Sequence, residues 1–126
     1  MKPIFITIVI LTNVLRFELA QTEEEREKGL MGRKNWGNID GMLFIHDKPE
    51  EVSYWMKSTY LELCMIFMDR DFRPLEVYRP ETLSTKIIFS SNTNIKYVLE
   101  LNPSYSNVVF ENMKLFAEKL RKKLSN

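Results

Sequence analysis

Between Glu62 and Asp69 the chain carries six consecutive apolar residues, Leu63-Cys-Met-Ile-Phe-Met68, with no polar residue to mark a solvent side. A strand with one wet face alternates, so an unbroken run has to be covered on both faces. The run reads as a central strand, and periodicity alone leaves a buried helical segment open as the alternative. Either way, the rest of the chain has to supply a layer on each side of it.

The segments before it begin to supply those layers. Ile4, Ile6, Ile8 and Ile10 fall on one face of a β-branched stretch, and Thr12-Asn13 can turn the chain into a second strand, Val14 to Ala20. Lys2 and the apolar residues to Leu11 also have the charge and length of a short signal peptide. No small-residue cleavage site precedes Arg16 and Glu18, however, and the stretch is too short to span a bilayer. We therefore expect a hairpin that belongs to the fold and a cytoplasmic location, with export as the alternative.

Thr22-Glu-Glu-Glu25 is a capping box, in which Thr22 and Glu25 satisfy each other's backbone amides, and three acids complement the positive end of the helix dipole. It starts a helix of about two turns that Gly29 can close. Strands are expected at Met42 to His46, Leu75 to Arg79 and Ile87 to Phe89, and at Ile95 to Leu101, where Lys96, Val98 and Glu100 form the alternate face. From Ser106 the period becomes helical: Val109, Met113, Phe116, Leu120 and Leu124 share a face, giving an amphipathic helix over about 107–123. The expected class is α+β, predominantly β. It is a compact, mostly antiparallel, barrel-like sheet with a short helix after the first hairpin and a C-terminal amphipathic helix, in one domain over residues 1–126. Leu30, Phe44, Met56, Phe67, Leu99 and Leu101 are expected to meet in one core.

One surface stands out. At a period of two, Ser53, Trp55, Lys57 and Thr59 point away from Val52, Tyr54 and Met56, so an indole, a cation and two hydroxyls share a strand face, with Arg33 entering from the helix exit. Arg33, Trp55, Lys57 and Thr59 are the candidate ligand-binding residues, suited to a small polar or anionic ligand or a protein partner. The structural alternative is a half-buried strand whose Lys57 snorkels to water, with Arg33 and Lys57 neutralising Glu18 or Glu100.

Other chemistries find little support. A net charge of +1 gives no field for nucleic acid, so none is expected as a partner. Cys64 is the sole cysteine and sits in an apolar run, where a thiol is inert, so a Cys64 and His46 nucleophile-base pair is not favoured. No Cys-x-x-Cys, His-x-x-x-His, Gly-x-Ser-x-Gly or phosphate-binding glycine loop occurs, and neither cofactor nor metal is expected. Met31, Met42 and Met56 with His46 and Cys64 could in principle hold copper(I), but Met beside Leu, Phe and Trp reads as core filler. Glu18, Glu62, Asp69 and Glu100 could supply a hydrolytic carboxylate pair, although Glu18 and Glu100 read more simply as solvent-facing or paired to a cation.

Taken in order, Glu18-Leu-Ala20, Glu24-Glu-Arg26, Gly29-Leu-Met-Gly-Arg33, Gly41-Met-Leu-Phe44, Trp55-Met-Lys57 with Thr59, Leu63, Phe67 and Asp69, and Val98-Leu-Glu-Leu-Asn102 resemble the bacterial and archaeal family called domain of unknown function 192. The likeness covers about residues 14–103. It implies a mainly β domain with a short helix after the first strands, often in exported proteins, and no established activity. Where this family usually reads Trp-Met-Lys-Asn-Thr and then Pro-Leu-Asp, the chain has Ser58, Glu62 and Cys64, and Pro103-Ser104 replaces a glycine. Measured against those relatives, the C-terminal helix looks like an addition. The reading that results is a small non-catalytic binding or accessory domain, with a carboxylate hydrolase as one alternative and a module that dimerises through the C-terminal helix as another.

Overall fold

The computed structural model describes residues 2–125. Strands β1 (Ile4–Ile10) and β2 (Asn13–Ala20) form the expected hairpin, joined by the two-residue turn Leu11-Thr12, with Leu11 at a φ of 56°. Helix α1 (Glu23–Lys28) carries the full capping box: the Glu25 amide donates to Thr22 Oγ1 at 3.1 Å, and Glu25 Oε1 accepts from the Thr22 amide at 3.0 Å. The connection through α1 lets β3 (Gly41–Glu50) lie parallel to β2, a pairing that a tight turn does not reach. Strands β5 (Cys64–Met68), β6 (Pro74–Tyr78) and β8 (Ile95–Leu101) complete a six-stranded sheet in the order β1-β2-β3-β8-β5-β6. Two short strands, β4 (Ser53–Tyr54) and β7 (Ile88–Phe89), pair as a separate ribbon.

The sheet is mixed and open, with β1 and β6 as its edges, so the barrel-like closure expected from sequence does not occur. Helices cover what closure would have enclosed. All five residues of β5 are buried, which is the two-sided cover that the apolar run requires. Cys64, Ile66 and Met68 pack with Phe17, Leu43, Leu99 and Leu101 beneath helices α2 (Ser106–Glu111) and α3 (Met113–Leu124). Met65 and Phe67 point the other way and pack with Leu30, Phe44, Met56 and Val98. The single core expected for Leu30, Phe44, Met56, Phe67, Leu99 and Leu101 is thus two cores. The period of two in β8 sends Leu99 and Leu101 to the helix side and leaves the other four opposite.

The C-terminal helix is broken in two at Asn112, whose side-chain amide donates to the Val108 carbonyl at 2.8 Å. Val109, Phe116 and Leu120 are fully buried on the sheet, and Phe116 meets Phe17 edge to face at 5.9 Å. The apolar face that would have carried a two-fold contact is therefore occupied within the chain. Gly41 is demanded by packing: a Cβ there would lie 2.7 Å from the Glu100 carbonyl oxygen, so any side chain would push β3 away from β8.

Candidate functional site: a cleft between helix α1 and the Trp55 loop

A cleft of about 810 Å³ opens between α1 and the segment that follows β4. Its walls come from three places. Helix α1 is held against the sheet by Arg26, whose guanidinium donates to the Ile45 carbonyl at 2.9 Å. At its exit Gly29 has a φ of 48° and lies against the Phe44 ring, where a Cβ would come within 3.3 Å. The Gly32 amide then donates to the Ser58 carbonyl at 2.8 Å, which ties the helix exit to the opposite wall.

The second wall is built by an irregularity in β3. Its ladder with β8 runs from Gly41 to Ile45 and resumes only at Glu50, so His46 to Pro49 are looped out, as a proline that cannot donate to the ladder requires. The bulge brings Glu50 Oε1 to 3.5 Å from His46 Nδ1, while His46 Nε2 and the Tyr54 hydroxyl share a hydrogen bond of 2.7 Å. Burial and the nearby Arg26 charge push the His46 pKa below its ordinary value. Burial, reinforced by the Glu100 charge, pushes the Tyr54 phenol well up. The relay therefore positions a neutral phenol, whose ring also stands edge-on to Phe44 at 5.2 Å.

The third wall carries the residues singled out in the sequence. The in-out alternation of residues 52–57 is present, with Val52 and Met56 buried and Trp55 and Lys57 exposed. The strand itself stops at Tyr54, because the chain turns at Met56 to Thr59, where the Thr59 amide donates to the Met56 carbonyl. Lys57 Nζ lies 5.2 Å from the centre of the Trp55 ring, a cation-π contact at the rim. Thr59 lines the cleft, but it is buried and its hydroxyl donates to the Lys57 carbonyl at 3.1 Å. Arg33 does not converge with these three: its guanidinium forms a two-pronged pair with Glu18 at 2.9 and 2.8 Å.

Ser58 holds the rim turn at a φ of 54°, a left-handed conformation that asparagine tolerates better than serine. Ser58→Asn, the residue usual in the resembled family, is therefore expected to stabilise the protein by about 0.5–1 kcal/mol, measured by urea unfolding. A neutral or destabilising result would mean that the turn is not strained.

The floor is Glu100, which the sequence placed at the surface or in a pair. It projects from the central strand β8 on the same side as Val98, is only 4% exposed, and lines the cleft. No hydrogen bond or ion pair to its carboxyl group is present among the described residues, and burial pushes its pKa up to about 8. The signal for it was a lone acid in Val98-Leu-Glu-Leu-Asn102. Reading that stretch as an alternating strand hid it, because β8 is covered on both faces by elements distant in sequence.

The other carboxylates do not join Glu100. Glu18 is spent on Arg33, Glu62 is exposed, and Asp69 accepts from the Asp71 and Arg73 amides at 2.8 and 3.0 Å to shape a turn. Cys64 lies on the helix-side face with its thiol pushed up by burial, on the opposite side of the sheet from His46 and the cleft. Its departure from the family pattern therefore does not alter the cleft. Among the described residues, no group of three or more His, Cys, Asp and Glu could hold a metal ion, and no helix is long and apolar enough to cross a membrane.

No curated protein matches the chain. Two solved structures share its fold. One is a candidate transcription regulator from Sinorhizobium meliloti 1021, with 36% identity over 79% of this chain and 74% of the other and a TM-score of 0.68. The second, a protein of unknown function from Novosphingobium aromaticivorans DSM 12444, has 27% identity over 84% and 78% of the two chains and a TM-score of 0.69. The family model for domain of unknown function 192, described as uncharacterized ACR, matches residues 7–109, from within β1 into α2, so that α3 lies beyond it. With most of its length matched, the chain belongs to the domain of unknown function 192 family.

Proposed function

We propose that this protein is a non-catalytic binding module whose small polar ligand occupies the cleft, with Trp55 and Lys57 at the rim, the buried Thr59 in the wall and Glu100 at the floor. The observation that carries the proposal is Glu100 itself: a buried carboxyl group without a protein partner, facing a cleft. Its oxygens face the cleft without a protein donor, and a ligand that enters can supply one. Lys57 makes no ion pair among the described residues, so its charge is available to a ligand at the rim, with the indole supplying area. Arg33 is left out of the site, because it does not line the cleft and its guanidinium pairs with Glu18.

Hydrolysis is the second reading, supported by Glu50 and Glu100 lining the same cleft and by a Glu100 acid that keeps its proton at neutral pH. Transcriptional regulation, the role named for the Sinorhizobium protein, has less behind it here, because a net charge of +1 provides little attraction to DNA.

A thermal-shift screen of small polar compounds, followed by Lys57→Met and Trp55→Ala, tests the binding proposal. Lys57→Met should weaken a cleft ligand about tenfold or more while changing stability by less than about 0.5 kcal/mol. A variant that lowers the melt and leaves binding unchanged would make Lys57 a structural residue. Multiple turnover of a bound compound, lost in Glu100→Gln, would favour the hydrolytic reading.

A further inference from the structure

We propose that the cleft takes a cationic N–H group of a small organic ligand, with Glu100 as its counter-ion on the floor and the rings of Phe44, Tyr54 and Trp55 as walls. This rests on the cleft reading above and names the chemical class of the ligand's buried end.

Three observations converge on it. First, Glu100 is nine-tenths buried, unpartnered and at the bottom of the cleft, so the position offers acceptor oxygens to whatever enters. Second, the walls beside it are π faces and edges: Tyr54 stands edge-on to Phe44 at 5.2 Å, and the exposed Trp55 ring already receives the Lys57 ammonium at 5.2 Å. A carboxylate among aromatic rings suits an organic cation, which gains from both. Third, no cation lining the cleft pairs with Glu100 among the described residues. Arg26 donates to the Gln21 and Ile45 carbonyls, and Lys57 sits over the indole, so neither neutralises Glu100. A metal ion is a poor match, since no cluster of three or more ligating side chains occurs among the described residues.

The binding step has a proton balance. At neutral pH the Glu100 carboxyl of the free protein is largely protonated, so an incoming cation displaces that proton to solvent and pairs with the carboxylate. Affinity for a cation should therefore rise with pH until Glu100 is ionised. The groups that surround it set the usable window. His46 is neutral above its ordinary range and Tyr54 stays protonated well above neutrality, and the charged side chains Arg26, Lys57 and Glu50 also line the cleft. Of the three groups with displaced pKa values, Glu100 is the one whose charge changes in this window.

The test uses three compounds of one shape: benzamidine, a cation throughout this window, its neutral counterpart benzamide, and benzoate. Their binding at millimolar concentration is followed by NMR through the Trp55 indole and Tyr54 ring signals. We expect benzamidine to bind best, to gain about tenfold or more in affinity between pH 6.5 and 8.5, and to lose at least about tenfold, together with that pH slope, in Glu100→Gln. Gln closely matches a protonated Glu in size, and the melt of the variant at pH 6.5 confirms that it folds. Benzamide or benzoate binding as well as benzamidine, or benzamidine binding that survives Glu100→Gln, would overturn the cation assignment and leave the cleft reading standing. Silence from all three compounds would also overturn the cation assignment, while the broader screen with Lys57→Met judges the cleft reading separately.

Discussion

Phe67→Ala is expected to lower the unfolding free energy by about 3–5 kcal/mol, the range for removing a fully buried aromatic ring from a core that does not collapse around the gap. Phe67 is 0% exposed and lies on β5 between β8 and β6. Its ring touches Tyr54 at 5.7 Å and Tyr78 at 5.2 Å, so the truncation removes aromatic contacts as well as buried area. Urea unfolding with an unchanged m-value checks the figure. A loss below about 1 kcal/mol would place the ring outside the core. Because Tyr54 also lines the cleft, the same variant should loosen the wall opposite α1.

The second large effect is a stability that falls as pH rises through neutrality. The folded pKa of Glu100, about 8, stands above its ordinary value of 4.5, so between these values the folded protein holds a proton that the unfolded chain releases. Stability is therefore highest near the acidic end of that window, declines as pH climbs and levels off above about 8, for a total on the order of 4–5 kcal/mol. Glu100→Gln should flatten this decline, since an amide carries no charge at any pH in the window, folded or unfolded. Groups with lowered folded pKa values shape the acid side, Glu25 with its bond from the Thr22 amide among them. His46, with a lowered folded pKa, costs stability as pH drops below 6.5, and Glu76, held at about 2 by bonds from Tyr78, Ser91 and Asn92, does the same below 4.5. The maximum should accordingly fall near pH 5 to 6.5. A wild-type profile that stays flat from pH 6 to 9, or one that Gln at position 100 leaves unchanged, would mean that Glu100 is solvated or paired.

Much of this architecture is written in local pattern. The capping box at Thr22 and Glu25, the Ile8 and Ile10 face of the hairpin, and the unbroken Leu63 to Met68 run each determine an element through contacts within a few residues or through burial itself. The order of strands is set by distant pairings, and the sequence does not show it. Thus β8 looked like an alternating strand with a wet face, and its neighbours β3 and β5 made Glu100 the floor of a cleft instead. The exposure of Trp55 and Lys57 was legible in their alternation with Val52 and Met56, which are buried. For Arg33 the sequence offered both a ligand role and a pair with Glu18 on β2, and the pair with Glu18 forms. His46 and Glu50 meet through a bulge, which alternation does not encode.

The central claim is that an unpaired Glu100 carboxyl forms the floor of the cleft, and its titration, followed by NMR of the side-chain carboxyl carbon, tests that claim most directly. The account predicts a midpoint near 8 in the free protein, moving to lower pH when benzamidine is added. A midpoint near 4.5, unmoved by the cation, would contradict it.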